Sequence, residues 1–289
     1  MSESTAPGSV ASEGLGVSEP VTAFVFQGGG SLSAPQVGML RALTEAGIRP
    51  DLVIGSSAGA LNAVAYATDP TPRGLNRLEE LWLTLRWRNV ARLSLPVLAR
   101  ALVGRRDGLL DASPLIDLLS RGMVAPRLEE TGLPAHVVAT DLMTAAPVVL
   151  SQGDSVTALL ASSAFPGIYA PVPYGSQQLI DGGVSADIPV LQAEALGAQR
   201  CYVLPAAISD DTGAPPHGPL AMAYHALGQI LDATARRDAS AAQGEVHLLP
   251  AATSPASNPL DFRESRRLIN DGYTLASRWL TGASEAVYA

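Results

Sequence analysis

Short runs of consecutive apolar residues recur along this chain, and the first two end in glycine-rich turns. Residues 22–27 form an apolar, β-branched and aromatic run that stops at Gly28-Gly29-Gly30. A continuous apolar run closed by turn residues reads as a strand buried on both faces. Val37, Leu40 and Leu43 then recur at helical spacing over 34–45, Gly47 ends that helix, and 48–55 supplies a second apolar run. This is a β-α-β unit, and a right-handed crossover sets its strands parallel. Both glycine-rich turns then fall at the carboxyl ends of parallel strands, where open α/β sheets place ligands.

Further along, residues 72–104 are mostly helical in pattern, broken at Pro96 into at least two helices or a mobile lid. Ser113 opens a helix through Leu119. Strand-like runs return at 135–139 and 147–150, followed by a small-residue helix over 154–163. Leu179-Ile180 leads into the turn Asp181-Gly182-Gly183, a short helix ends near Gly197, and strands centre on Val203 and Val246. Pro215-Pro216 and 254–259 read as loops, and 262–280 as a closing amphipathic helix through Leu268, Ile269, Tyr273 and Trp279. The pattern predicts a single α/β layered domain over 21–289, with a mainly parallel central sheet flanked by helices. Residues 1–20, dominated by Ser, Gly, Ala, Pro and Glu, are expected to be a disordered tail and not a signal peptide.

Composition narrows the function classes. The formal net charge of −8 argues against general nucleic-acid binding, which needs a basic footprint. The single cysteine, Cys201, excludes an intramolecular disulfide and a cysteine-built metal site. It lies in a strand-like run and reads as a buried, inert thiol. No run approaches the roughly 18 uninterrupted apolar residues of a membrane span, so the expected location is cytoplasmic, with surface attachment to membranes open.

The candidate chemistry starts at Gly55-Ser56-Ser57-Ala58-Gly59, which follows Leu52-Val53-Ile54 and opens an alanine-rich helix. This G-x-S-x-G pattern reads as a nucleophile elbow that exposes Ser57 at a strand end. Ser56 is the less favoured hydroxyl, and Ser162-Ser163 reads as helix packing. Acyl transfer also needs a base and donors for the developing oxyanion. Gly28, Gly29 and Gly30 can supply backbone N–H donors at the end of the neighbouring strand. As a dinucleotide fingerprint the same glycines fit poorly, because Ser33 holds the third glycine's place and Asp51 begins the second strand instead of ending it. A phosphate loop lacks its lysine, since the chain has none. Among the histidines, His136 and His247 lie in strand patterns, His217 follows a proline-rich loop and His225 lies on a helix pattern. Asp181, in contrast, ends an apolar strand and precedes two glycines that permit close backbone approach.

Taken together, these motifs resemble the patatin-like phospholipase family, from Ala23 onward. The resemblance rests on Gly28-Gly29-Gly30 with Gly38 and Leu40, on the elbow at Ser57, and on Asp181-Gly182-Gly183. Residues 139–142, 163–167 and 187–190 support it. It implies a Ser-Asp dyad in place of a triad, with Ser57 as nucleophile, Asp181 as base, the three glycines as oxyanion hole, and no metal or cofactor. The implied activity is hydrolysis of fatty-acyl esters of phospholipids or related lipids. A carboxylesterase or thioesterase with the same dyad, and a catalytically impaired lipid-binding or regulatory module, are the alternatives. The family's glycine motif usually continues with a basic residue and a fourth glycine; here Leu32 and Ser33 stand there, which removes a cation suited to a phosphate head group. Asp141 and Asp187 read as structural turn formers.

Residues 73–106 contain eight arginines against Glu79 and Glu80, interleaved with Trp82, Trp87 and several leucines. Such a stretch suits peripheral contact with an anionic membrane, or a solvated arginine face over a Leu/Trp core.

Overall fold

The computed structural model describes residues 19–105, 107–209, 218–255 and 258–282. Most of the expected tail, the Pro215-Pro216 loop, His217 and Arg106 lie outside these residues. Ten strands are described: β1 Thr22–Phe26, β2 Leu52–Ser56, β3 Ala135–Asp141, β4 Pro147–Leu150, β5 Val172–Tyr174, β6 Gln177–Asp181, β7 Arg200–Leu204, β8 Ile208–Ser209, β9 Glu245–Leu248 and β10 Thr253–Ser254. Eight of them form one sheet in the order β5-β6-β3-β2-β1-β7-β9, with β4 also on β3, while β8 and β10 pair separately. β9, β7, β1, β2 and β3 run parallel; β4, β5 and β6 add antiparallel pairs.

The apolar run of β1 is buried along its whole length because both faces are covered. Phe24 and Phe26 point into one core with Leu40, Tyr66 and Trp82, whereas Ala23 and Val25 point into a second with Ile54 and Val203. The helices that cover these faces are α1 Pro35–Glu45, α2 Ala58–Thr68, α3 Pro72–Thr84, α4 Trp87–Val90, α5 Leu95–Leu102, α6 Ser113–Leu119, α7 Ser155–Ser162, α8 Gly183–Ala186, α9 Val190–Ala195, α10 Pro219–Ala241 and α11 Ser265–Leu280. Thr71 caps α3 by accepting from the Gly74 N–H, and Asp154 caps α7 by accepting from the Thr157 N–H at 2.7 Å. Pro96 sits in the first turn of α5, where its missing N–H costs nothing, and 72–104 is divided among α3, α4 and α5, at least two helices as the sequence suggested.

Helices α1 and α11 cross backbone to backbone. A Cβ on Gly38 would collide with the Ile269 carbonyl, and one on Gly272 with the Pro35 carbonyl. That contact clamps the closing helix over the first β-α-β unit.

One feature of the register carries the site. β2 pairs with β3 only as far as Ser56 opposite Val138. β4 occupies the other edge of β3 from Val137 to Thr140, so β6, which pairs with Ala139 to Asp141, must lie on the edge that β2 has just vacated. Asp181 stands opposite Ala139, the residue immediately after Val138. Thus β3 sets the end of β6 against the end of β2.

Candidate active site

Ser57 follows β2 with φ 52° and ψ −126°, a left-handed conformation that L-residues with a Cβ rarely adopt. The sharp turn is possible because Gly55 and Gly59 pass too closely for side chains: a Cβ on Gly55 would lie 2.6 Å from the Gly59 carbonyl carbon, and one on Gly59 would collide with the Gln27 carbonyl oxygen. Ser57 Oγ donates to Asp181 Oδ2 at 2.7 Å. Asp181 Oδ1 accepts from the Gly183 N–H at 2.8 Å, so both carboxylate oxygens have partners.

Asp181 is 4% exposed. Burial pushes its pKa up to about 7, with the nearby Asp187 charge adding to the rise, while the Ser57 hydroxyl and the Gly183 N–H pull it down. A carboxylate tuned to that range exchanges protons near neutral pH, which suits a general base.

The glycine turn faces this pair. Gly29 and Gly30 take φ values of 150° and 58°, open to glycine, and a Cβ on Gly30 would meet the Pro259 carbonyl. Gly28 differs from the other two, because its N–H donates to the Asp187 carbonyl at 3.2 Å. No hydrogen bond holds the Gly29 or Gly30 N–H among the described residues. Ala58, first in α2, has an N–H that its position leaves without an intrahelical acceptor. The Gly28 N–H is thus engaged within the fold, unlike those of Gly29 and Gly30.

Residues to which the sequence gave no part in the chemistry, among them Gln27, Gln36 and Asn62, which it did not single out, hold these parts in place. Ser162 Oγ accepts from the Ser57 N–H at 2.7 Å and donates to the Val138 carbonyl at 2.6 Å, tying the elbow to β3. Ser56 donates to the Ala186 carbonyl at 2.6 Å and so points away from the elbow's outer side. A buried amide relay runs behind the glycine turn. Trp82 Nε1 donates to Asn62 Oδ1 at 2.8 Å, and Asn62 Nδ2 donates to Gln36 Oε1 at 2.8 Å and to the Ser33 carbonyl at 3.1 Å. Gln36 Nε2 donates to the Gln27 carbonyl at 2.7 Å and the Leu204 carbonyl at 3.0 Å, and Gln27 Nε2 reaches Asp187 Oδ2 at 2.8 Å. Asp187 is thus the buried anchor of the turn, in keeping with a structural role. Asp141 likewise caps the turn after β3, accepting from the Met143 and Thr144 N–H groups.

Two of the described histidines have partners away from this pair. His136 Nδ1 is hydrogen-bonded to Ser151 Oγ at 2.8 Å, and burial lowers its pKa. His247 pairs with Glu245 and stacks on Tyr202. His225 falls within α10. Leu32 packs against the larger core and Ser33 is buried beneath the glycine turn. Cys201 is buried in β7, its thiol pushed up to about 11.

The patatin-like phospholipase family model matches residues 24–194, a span that holds the glycine turn, Ser57 and Asp181. An uncharacterized NTE family protein of Mycobacterium bovis is 31% identical over 179 residues, covering 61% of this chain and 46% of the relative. The patatin-like phospholipase domain-containing protein 7 of Rattus norvegicus is 25% identical over 201 residues, 68% of this chain and 14% of the relative. The chain therefore spans less than half the length of these relatives. Among solved structures, VipD from Legionella pneumophila aligns with 92% of this chain and 67% of its own at a TM-score of 0.48 and 14% identity. With the family match running from the first strand past the buried carboxylate, this chain belongs to the patatin-like phospholipase family.

Proposed function

We propose that the chain is a serine acyl hydrolase, one domain over 21–289, which cleaves fatty-acyl esters of phospholipids or related lipids through Ser57 and Asp181. The observation that carries this reading is the 2.7 Å hydrogen bond from the Ser57 hydroxyl to a buried carboxylate whose pKa lies at about 7. Ser57 Oγ attacks the ester carbonyl carbon while its proton passes to Asp181. The carbonyl oxygen, now negative, takes hydrogen bonds from Gly29 and Gly30, with the Ala58 N–H completing the hole. The tetrahedral intermediate collapses, the C–O bond to the alcohol breaks, and Asp181 returns the proton to the leaving oxygen. Water then attacks the acyl-Ser57 carbonyl, gives its proton to Asp181, and the fatty acid departs as Ser57 recovers its hydrogen. These steps need only the chain's own groups and water.

Leu32 favours a second substrate class. With Leu32 where the family usually has a basic residue, residues 28–33 carry no cation to pair with a phosphate, and neutral carboxylic esters or thioesters fit the same machinery. The intact hydrogen bond between Ser57 and Asp181 weighs against an impaired lipid-binding module. Residues 73–106 suit peripheral contact with an anionic membrane: Trp87, Leu93, Leu95 and Val103 are exposed among the arginines.

A fluorophosphonate probe tests the assignment. Labelling is expected at Ser57 alone, with a rate that rises with pH through about 7, because the base acts only once Asp181 has lost its proton. A folded sample that stays unlabelled, or that labels at another serine, would sink the reading.

The amide relay predicts a kinetic signature. Gln36→Leu removes the donor to the Gln27 and Leu204 carbonyls, loosening the chain that enters the glycine turn. The expected result is a fall in kcat on the order of ten- to a hundredfold, with KM little changed, because the loss is felt at the oxyanion. Gln36→Glu, able to donate only when protonated, is expected to come closer to the parent's rate, compared at the same pH, as the pH falls, although both slow as Asp181 takes up its proton. Equal changes in kcat and KM would make Gln36 a packing residue only.

A further inference from the structure

The rim of the candidate active site has an exposed, uncharged hairpin tip that the chemistry of the site does not use. Residues 142–146, Leu-Met-Thr-Ala-Ala, join β3 to β4 and, with Pro147 at the start of β4, are all exposed. Met143 is 83% and Leu142 44% exposed, on a chain whose formal charge is −8. The tip carries no charge, and its two largest side chains, Leu142 and Met143, are neighbours that both face outward.

The tip is held in this position. Asp141 Oδ1 accepts from the Met143 N–H at 2.9 Å, the Thr144 N–H at 2.8 Å and the Thr144 hydroxyl at 3.1 Å, and its Oδ2 accepts from Gln177 Nε2 at 2.8 Å. The Ala145 N–H donates to the Asp141 carbonyl at 2.9 Å. Ala145 has a φ of 57°, a left-handed conformation that costs a non-glycine residue on the order of 1 kcal/mol. A strained, fully hydrogen-bonded turn presents the Met143 side chain outward instead of folding it back.

Its place is set by the same register that brings Ser57 and Asp181 together. Ala139 lies opposite Asp181, and the tip follows four residues on, about 13 Å of extended strand away. Because β2 and β3 are parallel, the tip and Ser57 emerge at the same end of the sheet. A second uncharged loop, 165–168, starts beside Asp181: the Asp181 N–H donates to the Ala164 carbonyl, and Pro166 and Gly167 are exposed. That loop is bridged in turn to the arginine-rich region. Gly108 pairs with Gly167, and the Tyr169 hydroxyl donates to the Val90 carbonyl at 2.7 Å. From there α5 presents Leu95, 82% exposed, beside Arg92 and Arg100.

We propose that the Leu142–Met143 tip inserts into the acyl region of a lipid surface and holds the mouth of the site against it. The arginines of the adjoining segment complement an anionic surface, whereas the tip, lacking charge, gains from the apolar layer beneath the head groups. This deepens the acyl-hydrolase reading by fixing how the site meets an aggregated substrate, and it is tested by binding alone.

The test uses the full chain carrying Ser57→Ala, so that lipid is bound without turnover. Met143→Cys is labelled with a polarity-sensitive fluorophore, which the buried Cys201 thiol, its pKa at about 11, does not take up. On vesicles of phosphatidylcholine, with or without phosphatidylglycerol, the fluorophore is expected to shift to the blue and to be quenched by nitroxides on the acyl chains. Met143→Asp, with an unchanged melting temperature, is expected to weaken binding to both vesicles about tenfold, the equivalent of one lost apolar side chain. Phosphatidylglycerol is expected to strengthen binding of the parent and the Met143→Asp chain alike. A fluorophore that stays in water on bound protein overturns the proposal, as does absence of binding by the parent. Loss of a lipid-independent self-association in Met143→Asp would also overturn it, by assigning the tip to a second copy of the chain.

Discussion

Asp181→Asn is expected to abolish most ester hydrolysis, by on the order of 10⁴-fold, and at the same time to make the protein more stable above neutral pH. The loss of rate follows from replacing the proton acceptor for Ser57 with an amide. The gain in stability follows from what burial does to the native carboxyl. In the unfolded chain it ionises near its ordinary value of 3.8, while in the fold it holds its proton until about pH 7. Between these values the folded state binds more protons than the unfolded one. The stability that the protonated carboxyl contributes is therefore complete below about pH 4 and drains away as pH rises through 7. Asparagine carries no such penalty. Its advantage should be absent at acid pH and grow to a plateau above pH 7, on the order of 4 kcal/mol at its largest, reduced by the poorer match to the Ser57 hydroxyl. Thermal melts of the two proteins at acid, neutral and alkaline pH measure this directly. A difference that does not change with pH would mean that Asp181 titrates as an ordinary carboxylate, and retained hydrolysis would remove it as the base.

That trade of stability for reactivity was only partly legible in the sequence. β1, the glycine turn and β2 could be read because a buried parallel strand is written as an unbroken apolar run and its end as glycine. The neighbourhood of Asp181 could not be read by the same rule. It depends on β6 taking the edge of β3 that β2 gives up, an antiparallel pairing between segments far apart in the chain. Helix α10 showed only as a helix pattern around His225, with no extent, because Met222 and Ile230 face solvent while the buried Ala235 is too small to mark an apolar stripe. Ser162 read as a small packing residue because only the folded chain brings its hydroxyl to the Ser57 N–H. Gln36 and Asn62 did leave a signal. Asn62 is the one polar side chain between Ala58 and Ala65 in a helix that is otherwise small and apolar, and a buried amide in such a setting needs partners. The partners it finds are those that shape the glycine turn.

Ser57→Gly and Ser57→Ala are both expected to lose hydrolysis on the order of a millionfold, and to differ in stability. Both lack the hydroxyl, so the lost hydrogen bond to Asp181 cancels between them, as does any change that this brings to the carboxyl's ionisation. They differ in a Cβ at a backbone position of φ 52° and ψ −126°. Alanine keeps the steric cost that serine carries there, about 1–3 kcal/mol, and glycine removes it. Glycine also makes the unfolded chain freer, which takes back about 0.4–1 kcal/mol. The glycine variant should therefore be the more stable by roughly 1 kcal/mol, against the usual order of these two residues. Denaturant midpoints at equal slope give the comparison. If alanine proved the more stable, the elbow would have relaxed in the variants and the strain would not belong to the backbone. If glycine does, the turn that lifts Ser57 to Asp181 is maintained at a measurable cost, borne by the close packing of Gly55 on Gly59 and by the Ser162 clamp.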